Sequence, residues 1–269
     1  MTALDDSELE HGPDNEEWRS MLEGTNDSLK KLRAGFMRVP HGPRCKVCAA
    51  PFHGPGRILT AIMQHGRVRD NPLLCNACFG SLVQHPGGAE IDVSVLFADI
   101  RGSTSLAERV GARRFRQLLQ SYYAKAAAVI DATDGIVDKL LGDGVMALFI
   151  PVIAGENHRL RAIEAGRRVI EAVEKSDLPG QGVRVGVGIQ SGRTFVGVLG
   201  SGDKLDFSAL GDVVNTAARL GGLAGPAELL VAADVWRAAG LSTDGQDVRQ
   251  LDIAGRDARL ETVALTTSG

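Results

Sequence analysis

The stretch "VLFADIRGSTS", residues 95–105, runs through four apolar side chains, meets the carboxylate of Asp99, and breaks at Gly102-Ser103-Thr104. A buried carboxylate without a partner is unfavourable by several kcal/mol or is neutralised. Asp99 therefore either stands at a strand end in water, ahead of a Ser/Thr helix cap, or it holds something. The rest of the chain decides between the two.

Outward from that stretch, strand and helix signals alternate to the C-terminus. Residues 91–99 read as a strand. Ser105–Val110 and Ala112–Asp131 read as helices, the second with Phe115, Leu118, Leu119, Tyr122 and Tyr123 at helical spacing. "GIVDKLLGDGVMALFIP" (135–151) reads as two strands about a Gly142-Asp143-Gly144 turn. Glu156–Lys175 is a predicted helix, residues 182–200 a second pair of strands, and Gly211–Leu223 a helix. Weaker strands follow near Glu228–Val231, Val248–Ile253 and Leu260–Leu265. This is an α+β, ferredoxin-like or palm-type β-α-β-β-α-β order, and it predicts an antiparallel sheet with helices on one face.

The 269 residues are 44% hydrophobic, which suits a globule with a sizeable core, and the net charge of −3 gives no global pull toward nucleic acid. No apolar run approaches the ~20 residues that span a bilayer. The opening "MTALDDSELEHGPDNEEW" is acidic, unlike a leader peptide, so a cytoplasmic location is expected. Residues 1–16 read as a mobile acidic tail and 17–88 as a separate small domain, with a helix from Glu17 to about Leu32. The turn-rich "QHPGGAE" (84–90) links it to the remainder.

That small domain holds all four cysteines, as Cys45-x-x-Cys48 and Cys75-x-x-Cys78. Each knuckle presents two thiolates on one turn, and together they close the shell of a structural Zn2+ ion in a zinc-ribbon-like module. Iron or a redox dithiol is the alternative. Lys30, Lys31, Arg33, Arg38, Arg44, Lys46, Arg57, Arg67 and Arg69 occur with no acid among them. They form a solvated or docking face, or an anion or nucleic-acid contact. With only Phe36 and Phe52 interleaved, base stacking is poorly provided for.

Two further features converge on Asp99. Asp143 stands in the hairpin turn, and a strand beside that hairpin would bring the two carboxylates together, where they repel unless cations lie between them. Gly102-Ser103-Thr104 opens a helix whose free N–H groups suit a phosphate. These two propose a nucleoside triphosphate site. Asn215 and Arg219 lie at i, i+4 on one helix face, and by themselves read as surface polar residues flanking the core side made by Val213, Val214, Ala217 and Leu220.

"FADIRGST", "KLLGDGVMALF", "VRVGVGIQSGRTFVGVLG" and "LGDVVNTAARL", in this order, resemble the catalytic domain of the class III nucleotidyl cyclases over residues 91–267. The resemblance implies that Asp99 and Asp143, helped by the Ile100 backbone, bind two Mg2+ or Mn2+ ions. It implies that Asn215 positions the ribose, that Arg219 stabilises charge on the α-phosphate, and that Arg184 contacts phosphate. It also implies a homodimer whose site takes Asp99, Asp143 and Arg184 from one chain and Lys139, Ser208, Asn215 and Arg219 from the other. Lys139 would donate to adenine N1 and Ser208 would accept from the N6 amine, which favours ATP over GTP. One departure is Ala254 in "LDIAGRDARL", where the family carries a triphosphate lysine; Arg256 is the candidate substitute. The expectation is an adenylate cyclase. The alternatives are a nucleotide-binding signalling module without turnover, and a zinc-ribbon nucleic-acid binder with a cyclase domain attached.

Overall fold

The computed structural model describes residues 16–38, 44–54, 65–67, 75–78, 80, 87–201, 204–255 and 258–266. The acidic segment up to residue 15, the first part of the 84–90 linker, and Arg57, Arg69 and Arg256 lie outside the described residues. The chain divides into two compact units, Met1–Ile91 with Phe195–Ala209, and Asp92–Thr194 with Leu210–Gly269. Among the described residues no helix is long and apolar enough to cross a membrane.

The first unit opens with two helices, α1 (Glu16–Leu22) and α2 (Asp27–Met37), where the sequence predicts one. Gly24 takes a left-handed conformation (φ 71°) that ends the first helix. Asn26 then starts the second, its side chain accepting from the Leu29 N–H at 2.9 Å as an N-cap. Trp18, Leu22 and Phe36 are buried. Three of the basic residues have internal work. Arg33 donates to the carbonyls of Lys46 and Val47, Arg44 donates to those of Phe36 and Ala49, and the Arg67 guanidinium lies 5.7 Å from the Phe52 ring centroid.

The remaining elements follow in order. They are β1 (Gly88–Ile100), α3 (Ser103–Val110), α4 (Ala112–Ala132), β2 (Ile136–Leu141), β3 (Gly144–Phe149), α5 (Pro151–Ala154) and α6 (His158–Glu174). Then come β4 (Val185–Ser201), β5 (Lys204–Leu210), α7 (Asp212–Leu223), β6 (Glu228–Ala232), α8 (Ala233–Ala238), β7 (Asp247–Leu251) and β8 (Leu260–Thr266). The sheet runs β2-β3-β1-β4-β6-β8-β7, with β5 paired to β4. Residues 182–200, expected as two strands, form most of the single long β4, which turns back as β5.

The sheet departs from a purely antiparallel one. β4 and β6 pair in parallel, Gly186 to Ile189 against Glu228 to Val231, because α7 carries the chain across between them. The helices also divide between its faces. On one face Leu118, Tyr122, Ala126 and Ile130 of α4, four residues apart, are buried with Ile163, Val169, Ile170 and Val173 of α6. Burying side chains of this size contributes about 1.5–3 kcal/mol each. Gly166 of α6 sits so close to the sheet that an added methyl would meet Leu229, Ile189 and Val187. Gly188 lies between those two β4 residues and so faces the opposite side. A Cβ there would fall 2.0 Å from the Gly221 nitrogen, so α7 rests directly on the strand on that second face. Phe97 of β1 meets Gly221 from the same side, and Asp99, two residues on, points the same way.

Candidate active site and cysteine centre

Asp99 is the penultimate residue of β1 and pairs with Gly144 at the start of β3. The two-residue turn between β2 and β3 is Gly142-Asp143. Gly142 adopts φ 65°, as a glycine in the first central position of a tight hairpin does. The Ile100 N–H donates to the Asp143 carbonyl at 3.3 Å, which ties strand end to turn. A Cβ on Gly144 would lie 2.7 Å from Asp99 Oδ1, so the bare backbone there leaves room for the carboxylate. Burial of Asp99, and then the negative charge of Asp143, push its carboxyl above the usual range, while Arg101 opposes the shift. The same field reaches Tyr122 and Tyr123 on α4. Burial raises both phenols first; next comes Asp99 and then Tyr123 for Tyr122, and Asp143 and then Asp99 for Tyr123.

Arg101 is a residue that the sequence reading passes over. Its Nη2 lies 3.1 Å from Asp99 Oδ2. Its Nη1 donates to the carbonyls of Gly222 (2.8 Å) and Ala224 (3.3 Å) at the end of α7. Position in "FADIRGST" is the one signal that could have found it, two residues after Asp99 in the turn that ends β1. Two carboxylates against one guanidinium leave the corner net negative, and the Asp99 side chain is 37% exposed. Oxygen donors of this kind suit Mg2+ or Mn2+.

The other predicted site residues distribute as follows. Gly102, at φ 64°, precedes α3 without a side-chain cap, so the first N–H groups of Ser103 and Thr104 have no intrahelical acceptor. Asn215 is exposed and Arg219 half-buried on α7. Neither side chain makes a hydrogen bond or ion pair among the described residues, and the Arg219 guanidinium lies against Gly255, the residue after Ala254. Arg184 is paired with Glu174, Nη1 to Oε2 2.6 Å, and Lys139 lies 3.6 Å from Asp138. Ser208 is buried on β5 in the first unit. The structure thus brings Asp99, Ile100 and Asp143 together. It sets Asn215 and Arg219 on one helix but does not join them to that acidic pair within the chain.

The four cysteines converge as expected. One donor atom from each of Cys45, Cys48, Cys75 and Cys78 lies within 4.8 Å of all the others. Cys48 Sγ and Cys75 Sγ are 3.7 Å apart, close to the ~3.8 Å edge of a tetrahedron with 2.3 Å zinc–sulfur bonds. Hydrogen bonding to Cys48 and to Cys45 respectively holds the Cys45 and Cys75 thiols below their usual range. The Cys48 and Cys78 thiols are pushed up, in each case chiefly by bonding to Cys45. A donor set of this kind is compatible with zinc. His65 is a further neighbour that spacing did not reveal, its Nδ1 lying 3.1 Å from Cys75 Sγ and 3.6 Å from Cys48 Sγ.

A fold with an acidic strand end, a glycine-flanked aspartate turn and an Asn/Arg helix defines a nucleotidyl cyclase domain. The family model for the adenylate and guanylate cyclase catalytic domain matches residues 88–266, and the chain belongs to this family. It is 30% identical over 176 residues to the terminal-differentiation-specific adenylate cyclase of Dictyostelium discoideum, covering 64% of this chain and 8% of that protein. It is 32% identical over 142 residues to an adenylate cyclase of Anabaena cylindrica, covering 49% of this chain and 27% of that one. The chain thus spans less than a third of the length of either relative. Among solved structures, the guanylyl cyclase Cya2 superposes with a TM-score of 0.60 and 26% identity, over 66% of this chain and 93% of its own.

Proposed function

We propose that this chain is an adenylate cyclase that converts ATP to 3',5'-cyclic AMP and pyrophosphate at sites formed in a homodimer. The meeting of Asp99 and Asp143 carries the reading: two like charges drawn together at a partly open sheet corner, with Gly144 leaving them room. Between them they would hold two Mg2+ or Mn2+ ions, which supply Lewis-acid activation of the ribose 3'-hydroxyl and neutralise the triphosphate.

In the reaction the 3'-hydroxyl gives up its proton to solvent, its oxygen bonds to the α-phosphorus, the bond from that phosphorus to the β-phosphate bridge breaks, and pyrophosphate leaves with the electron pair. Arg219 stabilises the charge that gathers on the α-phosphate, and Asn215 orients the ribose. The free N–H groups after Gly102 receive phosphate oxygens. Arg184 exchanges Glu174 for a phosphate. Lys139 donates to adenine N1, where guanine carries a hydrogen, and Ser208 accepts from the N6 amine. The side chains of Asn215 and Arg219, unengaged among the described residues, support their use by a second subunit, and such a dimer has two equivalent sites. The cysteine module binds a structural zinc ion.

The test is cyclic nucleotide production from ATP and from GTP, with Mn2+, for the wild type and for Asp99→Ala. The expected result is preference for ATP and near-total loss in the variant. Equal turnover of both nucleotides removes the base assignment, and an active Asp99→Ala removes the mechanism.

A further inference from the structure

Two adjacent tyrosines on α4 each reach the main-chain carbonyl that immediately precedes one of the two aspartates. The Tyr122 hydroxyl donates to the Ala98 carbonyl at 2.8 Å, one residue before Asp99. The Tyr123 hydroxyl donates to the Gly142 carbonyl, one residue before Asp143. The two rings lie side by side with centroids 5.6 Å apart. Tyr122 is fully buried, whereas Tyr123 is partly exposed.

Each of these carbonyls accepts a phenol proton. The effect of each bond falls on the next residue. Fixing the carbonyl fixes the peptide plane between it and the following Cα, and so limits where that aspartate's side chain starts. β1 and the β2–β3 turn are separate pieces of chain, joined at this point by the Ile100-to-Asp143 bond. A single helical turn that grips both sets the spacing of the two carboxylates before any cation arrives.

We propose that Tyr122 and Tyr123 are positioning residues for the divalent cation site, acting as a paired clamp that presets the separation of Asp99 and Asp143. The proposal rests on the reading of those aspartates as the metal-binding pair. Outer partners of this kind typically change metal affinity 10- to 100-fold when removed.

The experiment measures Mn2+ binding by loss of the free-ion electron paramagnetic resonance signal, in the presence of 3'-deoxy-ATP. This nucleotide lacks the attacking hydroxyl and is not turned over. Wild type, Tyr122→Phe, Tyr123→Phe and Asp99→Asn are compared, each with its melting temperature. The expected result is Mn2+ binding about tenfold weaker in each Phe variant, with the Tyr123→Phe melting temperature near wild type, and binding largely lost in Asp99→Asn. Wild-type Mn2+ affinity in both Phe variants, beside a defective Asp99→Asn, overturns the clamp and leaves the metal site standing. Wild-type affinity in Asp99→Asn overturns the metal site itself and the clamp with it. Should Tyr122→Phe fail to fold, Tyr123→Phe decides, since only its hydroxyl is removed from a partly exposed ring.

Discussion

Replacing Gly188 by alanine places a methyl between α7 and β4. The new carbon would fall 2.0 Å from the Gly221 nitrogen, 2.5 Å from the Leu220 carbonyl carbon and 2.6 Å from the Ala217 oxygen. Ordinary contact begins at about 3.5 Å, and all three neighbours are backbone, so no side chain can rotate away. The helix must retreat by roughly 1 Å or more. Overpacking of this kind costs about 1–3 kcal/mol. At roughly 2–4 °C per kcal/mol for a chain of this size, the melting temperature should fall by about 2–12 °C. Turnover should fall further than stability. α7 carries Asn215 and Arg219, and a displacement of about 1 Å at a reacting group is worth around 100-fold in rate. Thermal unfolding by circular dichroism, with cyclase activity assayed well below the variant's midpoint, reads both effects. A Gly188→Ala protein that melts within a degree of wild type and turns over at full rate would refute the direct seating of the helix on the strand.

Asp99→Asn should abolish turnover yet raise the metal-free melting temperature. Burial and Asp143 disfavour the charged form, against the opposing pull of Arg101, and a neutral side chain of the same shape escapes that penalty. The sign follows from a raised folded-state carboxyl: the folded protein binds the extra proton, so metal-free wild-type stability declines as pH rises through the shifted range, and the Asn variant should lack that decline. Mixing Asp99→Asn with Arg219→Ala subunits, each inactive alone, should restore about a quarter of wild-type activity after random re-pairing, because half the dimers regain one of two sites; no recovery after subunit exchange, verified by tag co-purification, argues for a site within one chain. His158 is buried, hydrogen-bonded to Ser94 Oγ at 2.8 Å, and pushed down to about 4 by burial and then by Arg159. Stability should therefore fall as pH drops from about 6.5 toward 4, and His158→Gln should flatten that stretch of a urea-midpoint series. Metal analysis should find one zinc per chain, lost in Cys45→Ser, with a chelator competition showing about tenfold weaker binding in His65→Ala.

What was legible in the sequence is what side-chain periodicity and turn chemistry write down. β1, the Gly142-Asp143 hairpin, the α7 motif and the two cysteine knuckles announce themselves by apolar alternation, by glycine at a tight turn, and by repeated spacing. The seating of α7 was not legible, because it depends on Gly188 and Gly221, which have no side chain to enter any pattern. β4 reads as two strands because Ser191-Gly192 interrupts its apolar run, although the ladder passes through. Arg101 and His65 escaped for a related reason. Each is a single polar residue with partners distant along the chain, Gly222 and Ala224 for Arg101 and, for His65, cysteines 17 and 10 residues away. The single predicted N-terminal helix split because Asn26 offers its side chain to the backbone more effectively than it continues a helix.

The bracing of the first cysteine knuckle has an asymmetric consequence. Arg33 and Arg44 bolt the Cys45–Cys48 loop to α2 and to its own carbonyls. Cys75 meets that loop through sulfur, its N–H donating to Cys45 Sγ at 3.4 Å and its own Sγ lying 3.7 Å from Cys48 Sγ. With a chelator, hydrogen–deuterium exchange should therefore rise less in the braced Cys45–Cys48 loop than around Cys75.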